Sequence, residues 1–121
     1  MDRNNIIDNK LNELSKSKFR SSFHLRKYMI KYIDDKGMDT VKKHTIDFIN
    51  DKLSAAYPKN DGKQTPMKGH PVFIAQHACA CCCRGCLEKW HHIPKGKELN
   101  NNEKNYIYCL LIKWIEKEYN R

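Results

Sequence analysis

Apolar residues recur at helical spacing along most of this chain, and no run alternates as a strand would. From residue 1 to 14, Ile6, Ile7, Leu11 and Leu14 mark a short, polar, frayed helix. A second helix is predicted over 22–36, where Leu25, Tyr28, Met29, Tyr32 and Ile33 form one stripe. Ser22 is a suitable cap for its start and Gly37 for its end. Asp39 then opens a helix to about Ala56, with Val41, Thr45, Phe48, Ile49, Leu53 and Ala56 on its buried face. Turn residues at 57–62 lead into a long loop that runs to His70. Pro71 suits the first position of the next helix, whose apolar residues are Val72, Phe73, Ile74 and Ala75. Pro94 forces a turn at 93–96. Asn100 with Glu103 makes a capping-box pattern for a last helix to about Tyr119. Its apolar face is Tyr106, Ile107, Leu110, Leu111, Trp114 and Ile115. The expected fold is all-α: a single-domain bundle of four to six helices, with residues 15–121 as the domain and 1–14 as a polar leading segment.

Length and composition agree with that size of object. The 121 residues amount to one domain, and 40% apolar with 10% aromatic residues is enough for a core. A mean hydropathy of −0.82 leaves no run of the roughly 20 apolar residues that a membrane span needs. With a polar N-terminus and no secretory pattern, the expectation is a cytoplasmic protein that does not enter a membrane.

Charge adds a partner class. Lys and Arg total 23 against 14 acidic residues, a net +9. The stretch 15–32 is basic and free of acids, and 59–97 is again mostly basic. A one-signed field attracts polyanions, so Lys16, Lys18, Arg20, Arg26, Lys27, Arg84, Lys89, Lys95 and Lys97 are candidate contacts to nucleic-acid backbone phosphates. A merely solubilising surface is the competing reading. Arg84 in particular is expected to be accessible, because Glu88 is the one acid near it in sequence.

The chemistry concentrates in one segment. Cys79, Cys81, Cys82, Cys83 and Cys86 lie within eight residues, and Cys109 sits apart in the last helix. Cys83-x-x-Cys86 has the bite of half a zinc site. His77 and His91 flank it, so His77, Cys83, Cys86 and His91 make a chemically possible tetrahedral set, with Cys82, His70 and His92 as further donors. Thiolates suit Zn²⁺ or, less well here, an iron–sulfur cluster. Two other readings stay open. If 79–90 is one helix, Cys79, Cys82, Cys83, Cys86 and Trp90 form a buried stripe of small hydrophobes. Alternatively Cys82, Cys83 or Cys86 is a nucleophile with His77 or His91 as its base. Trp90 and Trp114 are expected in the core.

The string Gly62-Lys-Gln-Thr-Pro-Met-Lys-Gly-His-Pro-Val-Phe-Ile-Ala-Gln-His77, then Cys82-Cys83-Arg84-Gly85-Cys86-Leu87-Glu88-Lys89-Trp90-His91 and Ile93-Pro94-Lys95-Gly96, resembles an uncharacterised bacterial family of small domains, the domain of unknown function forty-one eighty-six. The resemblance runs over nearly the whole chain. It implies no activity. In that family's core, threonines stand where this chain has Cys79 and Cys81, which implies that those two are incidental. The resemblance thus narrows the site to Cys82, Cys83 and Cys86 with His70, His77 and His91. More weakly, 86–106 is similar to the hairpin of helix-hairpin-helix modules, in which backbone N–H groups at the turn hold a phosphate. The sequence reading that best joins these features is a structural zinc site in a small basic domain that binds nucleic-acid backbone; the alternative is a Cys/His-dependent enzyme acting on an anionic substrate.

Overall fold

The computed structural model describes residues 3–121 and contains six α-helices: α1 (Arg3–Ser15), α2 (Lys27–Lys36), α3 (Met38–Phe48), α4 (Pro71–Ala78), α5 (Arg84–His91) and α6 (Asn101–Tyr119). A 3₁₀ turn at Arg20–Ser22 and a π turn at Ile49–Leu53 complete it, and no strand occurs among the described residues. The fold is all-α, as the periodicity predicts. None of these helices is long and apolar enough to cross a membrane.

The central element is α6, which packs against α1, α3 and α4. Its buried stripe is Ile107, Leu110, Leu111 and Ile115, all fully inaccessible. Spacings of three and four keep these residues on one side of a 3.6-residue helix. Asn100 and Glu103 form the predicted capping box, each side chain accepting the other's backbone N–H. Tyr106 and Trp114 only flank the stripe. Trp90 is likewise half-buried, so the expectation of two core tryptophans is corrected. The wide indoles sit at the margin, while branched aliphatic side chains fill the centre.

Three helix boundaries differ from the pattern. The segment after Ser22 is extended rather than helical, and α2 starts only at Lys27. Gly37, at φ 88°, both ends α2 and begins α3, so neither Ser22 nor Asp39 acts as the cap. On the long third helix, Val41, Thr45, Ile49 and Leu53 are all buried. Steps of four drift by about 40° each on an α-helix. The π turn, closed by the Ser54 N–H on the Ile49 carbonyl at 3.0 Å, takes up that drift and keeps Leu53 facing the core. The leading segment is no mere polar extension either, because Ile7 and Leu14 of α1 belong to the same core cluster as α6.

Arg84 is the largest fully buried side chain, at 1% exposure. Its Nη1 donates to the Leu53 and Ala55 carbonyls (3.3 and 2.7 Å), and its Nη2 to those of Pro94 and Lys97 (2.8 and 2.9 Å). The expectation of an accessible, phosphate-binding Arg84 is therefore corrected. Its partners are backbone carbonyls at the end of the π turn and around the Pro94 turn. A planar fork with parallel donors bridges such a pair of chain ends, whereas lysine offers a single charged point. The Pro94 turn is closed from its other side by the Lys95 N–H donating to the Glu88 carboxylate at 3.1 Å. That N–H is already occupied, so it is not one of the free amides that a helix-hairpin-helix turn offers to a phosphate.

Arg84→Ala leaves four carbonyls without their donor inside the protein. Hydrogen bonds to a charged group contribute about 1.5–3 kcal/mol each before relaxation. The expected loss of stability is at least about 3 kcal/mol in urea denaturation, and Arg84→Lys should recover less than half of it. A variant as stable as the wild type would show that these carbonyls find water instead.

Candidate metal centre

Helix α4 begins with His70 at its N-cap, where the imidazole Nδ1 accepts the Val72 N–H at 3.0 Å, and with Pro71 at the first position as predicted. It ends at Ala78. Ala80 then adopts the left-handed conformation at φ 57°, and the chain turns before α5 starts at Arg84. The break means that 79–90 is not one helix, so the predicted cysteine stripe does not exist as a single face. The break sorts the cysteines instead. Cys79 and Cys81 point into the core and are fully buried, while Cys82, Cys83 and Cys86 keep partial exposure. Burial pushes the Cys79 and Cys81 thiols up, well away from ionisation near neutrality.

The sulfurs of Cys82, Cys83 and Cys86 all lie within 4.8 Å of one another. Cys83 is the N-cap of α5 and accepts the Cys86 N–H at 3.4 Å. Cys82 and Cys86 share a hydrogen bond of 3.5 Å between their sulfurs. Arg20 reaches in from the 3₁₀ turn and donates to Cys86 Sγ at 3.3 Å, to Cys82 Sγ at 3.8 Å and to the His77 carbonyl at 2.7 Å. The hydrogen bonds with Cys86 and with the Arg20 guanidinium outweigh burial and hold Cys82 down to about 7. Cys86 moves up, through its hydrogen bond with Cys82 and its own partial burial. Arg20 thus stands against both members of the pair, where its charge favours the thiolate form of Cys82.

The predicted histidine ligands are placed elsewhere. His77 Nε2 lies 3.1 and 3.0 Å from the Thr65 and Pro66 carbonyls, and its ring stacks on Phe23. His91 Nε2 meets the Cys79 carbonyl at 2.8 Å and its Nδ1 meets the Tyr106 hydroxyl at 2.7 Å. Each of these rings uses Nε2–H as a donor to backbone. His70 is committed as a helix cap, and His92 is an exposed left-handed residue at the end of α5. The set that the fold gathers is therefore Cys82, Cys83 and Cys86, not His77, Cys83, Cys86 and His91. Neither ring has one of these three sulfurs among its hydrogen-bond partners, so the geometry gives no support to His77 or His91 as a base for them.

Sequence spacing missed the residues that surround the cluster. Thr65 Oγ1 donates to the Cys82 carbonyl at 2.8 Å, and Gln76 donates to the Cys81 carbonyl at 3.2 Å. Asp61 accepts from the Arg84 N–H at 3.0 Å and from Gln64 at 2.8 Å. Burial opposes ionisation of Asp61, but these hydrogen bonds and the nearby Lys95 and Arg84 charges bring its carboxyl below the usual range. The long loop is thus fastened to the cysteine segment by side-chain hydrogen bonds. Arg20 was predicted as a phosphate contact and is corrected to a buried partner of sulfur, 8% exposed. The other predicted basic contacts, Lys16, Lys18, Arg26, Lys27, Lys89, Lys95 and Lys97, are exposed. They are spread over the loop after α1, the start of α2, helix α5 and the Pro94 turn.

Fold and site together define a small all-α domain with a three-cysteine cluster set at a helix N-terminus and backed by an arginine. The chain belongs to the family described as Domain of unknown function (DUF4186), whose model matches residues 8–116. No solved structure matches it.

His70 and His91 are both held down to about 4, chiefly by burial, with the His44 charge adding to the effect at His70. In an unfolded chain they titrate near 6.5. Between these values the unfolded state binds protons that the folded state does not, so stability rises with pH there. Thermal unfolding should show full stability above about pH 6.5, a fall as pH drops toward 4, and no further contribution from these groups below it. His70→Asn keeps an N-cap acceptor without a titrating ring and should flatten part of that slope. An unchanged slope would assign it to other groups.

Proposed function

We propose that the domain binds one divalent zinc ion through Cys82, Cys83 and Cys86. The observation that carries this is the convergence of three sulfurs within 4.8 Å of one another. Tetrahedral Zn–S bonds of about 2.3 Å put sulfurs about 3.8 Å apart. The 3.5 Å between Cys82 and Cys86 needs only a small opening. Charge supports a divalent ion. Three thiolates and one divalent cation sum to −1, and Arg20 beside two of the sulfurs brings the site to neutrality. A monovalent ion would leave it negative. An iron–sulfur cluster takes four thiolates in its common forms, and the other nearby cysteines are turned into the core.

Three protein ligands leave one position for water or a small anion, the pattern of zinc sites that do chemistry rather than of closed structural ones. Bound there, zinc would act as a Lewis acid. The chain's own part is to hold the three sulfurs, to balance their charge with Arg20, and to fix the segment through Thr65, Gln76 and Asp61. This reading drops His77 and His91 from the four ligands that spacing selected, adds Cys82 and needs no nucleic-acid partner.

Elemental analysis after zinc loading and gel filtration should give about one zinc per chain, and a chelator should lower the melting temperature. Cys82→Ser, Cys83→Ser and Cys86→Ser should each weaken binding by at least tenfold. Cys109→Ser should leave it unchanged, because Cys109 lies apart on α6. Cobalt substitution gives a second readout through sulfur-to-metal charge-transfer absorption. Absence of stoichiometric metal in the wild type, with its cysteines reduced, would overturn the proposal.

A further inference from the structure

The cysteine cluster has an asymmetry that a metal site alone does not require. The sequence motif pairs Cys83 with Cys86, yet the direct sulfur–sulfur hydrogen bond, at 3.5 Å, is between Cys82 and Cys86. Cys83 is held differently, as the cap of α5, with its sulfur accepting the Cys86 N–H. Cys82 lies in the irregular stretch before the helix, so its side chain turns without disturbing helical hydrogen bonds. Arg20 donates to both members of the close pair. The two sulfurs are held against the same guanidinium, and Cys82, outside the helix, is the one free to turn toward an oxidant. Both sulfurs are partly exposed, whereas Cys79 and Cys81 are shut in the core. Partial burial admits a two-oxygen oxidant more readily than a bulky disulfide.

We propose that Cys82 and Cys86 are a redox couple that hydrogen peroxide closes into a disulfide, with Cys82 as the attacking sulfur and Cys86 as the resolving one. In the first step the Cys82 thiolate attacks one peroxide oxygen. An S–O bond forms and the O–O bond breaks. The departing hydroxide takes a proton from solvent and leaves as water, so that Cys82 is oxidised by two electrons to a sulfenic acid and the peroxide is reduced. In the second step the Cys86 sulfur attacks the Cys82 sulfur. An S–S bond forms, the S–O bond breaks, and the hydroxide leaves as water with the Cys86 thiol proton. The sulfurs must close from 3.5 Å to about 2.05 Å, which rotation at Cys82 supplies. Oxidation also removes two of the three proposed zinc ligands, so the disulfide ejects the ion. That last consequence rests on the zinc reading, whereas the couple does not.

The test uses the full chain in two forms, chelator-treated and zinc-loaded, each treated with a small excess of hydrogen peroxide. Peptide mapping of the chelator-treated protein should find a Cys82–Cys86 disulfide in most chains. Cys83→Ser should still form it. Cys86→Ser should instead leave a sulfenic acid on Cys82 that dimedone labels. A Cys83–Cys86 disulfide, intermolecular linkage, or oxidation to sulfinic acid without a disulfide would overturn the couple. Mapping of the wild type decides this even if a variant fails to fold. In the zinc-loaded protein, release measured with a chromogenic chelator should match disulfide formation one for one. Zinc retained beside a mapped Cys82–Cys86 disulfide would overturn the ejection. A disulfide in a chain that never binds zinc would overturn the metal site and uphold the couple.

Discussion

One buried guanidinium ties the irregular half of this protein to its helical half. Arg84 stands at the first position of α5 and bonds four carbonyls, two at the end of the long third helix and two around the Pro94 turn. No carboxylate side chain faces it at bonding distance among these contacts. Its charge is solvated by backbone dipoles, which replace the water it lost. Because Asp61 accepts the Arg84 N–H as well, the long loop is fixed to the same residue. The start of α5 is therefore set in place from three directions. The cysteines on either side of Arg84, at 83 and 86, inherit that position.

The second constraint is the break between α4 and α5. A continuous helix would have spread the cysteines along one stripe and hidden them together. The left-handed Ala80 separates them into two kinds with opposite chemistry. Cys79 and Cys81 behave as small core hydrophobes. Cys82, Cys83 and Cys86 meet at the start of α5, where the helix dipole and Arg20 favour negative charge. The irregular backbone of the break is satisfied by Gln76 and Thr65, the latter from the long loop. That is the physical use of a loop that is longer than a simple connection needs.

Arg20 gives this cluster its range of chemistry. A guanidinium next to an isolated cation site would oppose metal binding. In the proposed zinc site it offsets the surplus negative charge of three thiolates, and it lies against the sulfurs of Cys82 and Cys86. In the two proposals above, metal binding and disulfide formation draw on the same sulfurs, so the disulfide and the bound ion exclude each other. The charge that looked in sequence like part of a phosphate-binding surface belongs to the interior for both Arg20 and Arg84.

Much of the architecture was legible in the chain. The apolar spacing of α6, its Asn100–Glu103 capping box, Pro71 at the head of α4 and Gly37 between α2 and α3 are local signals, fixed by backbone geometry within a few residues. The concentration of cysteine chemistry between 77 and 92 was equally plain, and so was the all-α class. What the sequence did not determine was which donors converge. Arg20 is 62 residues from Cys82 and 66 from Cys86, and Arg84 finds its partners in carbonyls, which every residue carries and no sequence distinguishes. His77 and His91 stood at plausible ligand spacing, yet their rings are turned to backbone oxygens by the packing of the loop and of α6. Local chemistry follows from neighbours in the chain; long-range hydrogen bonds depend on how the helices stack, and only the tertiary structure decided those.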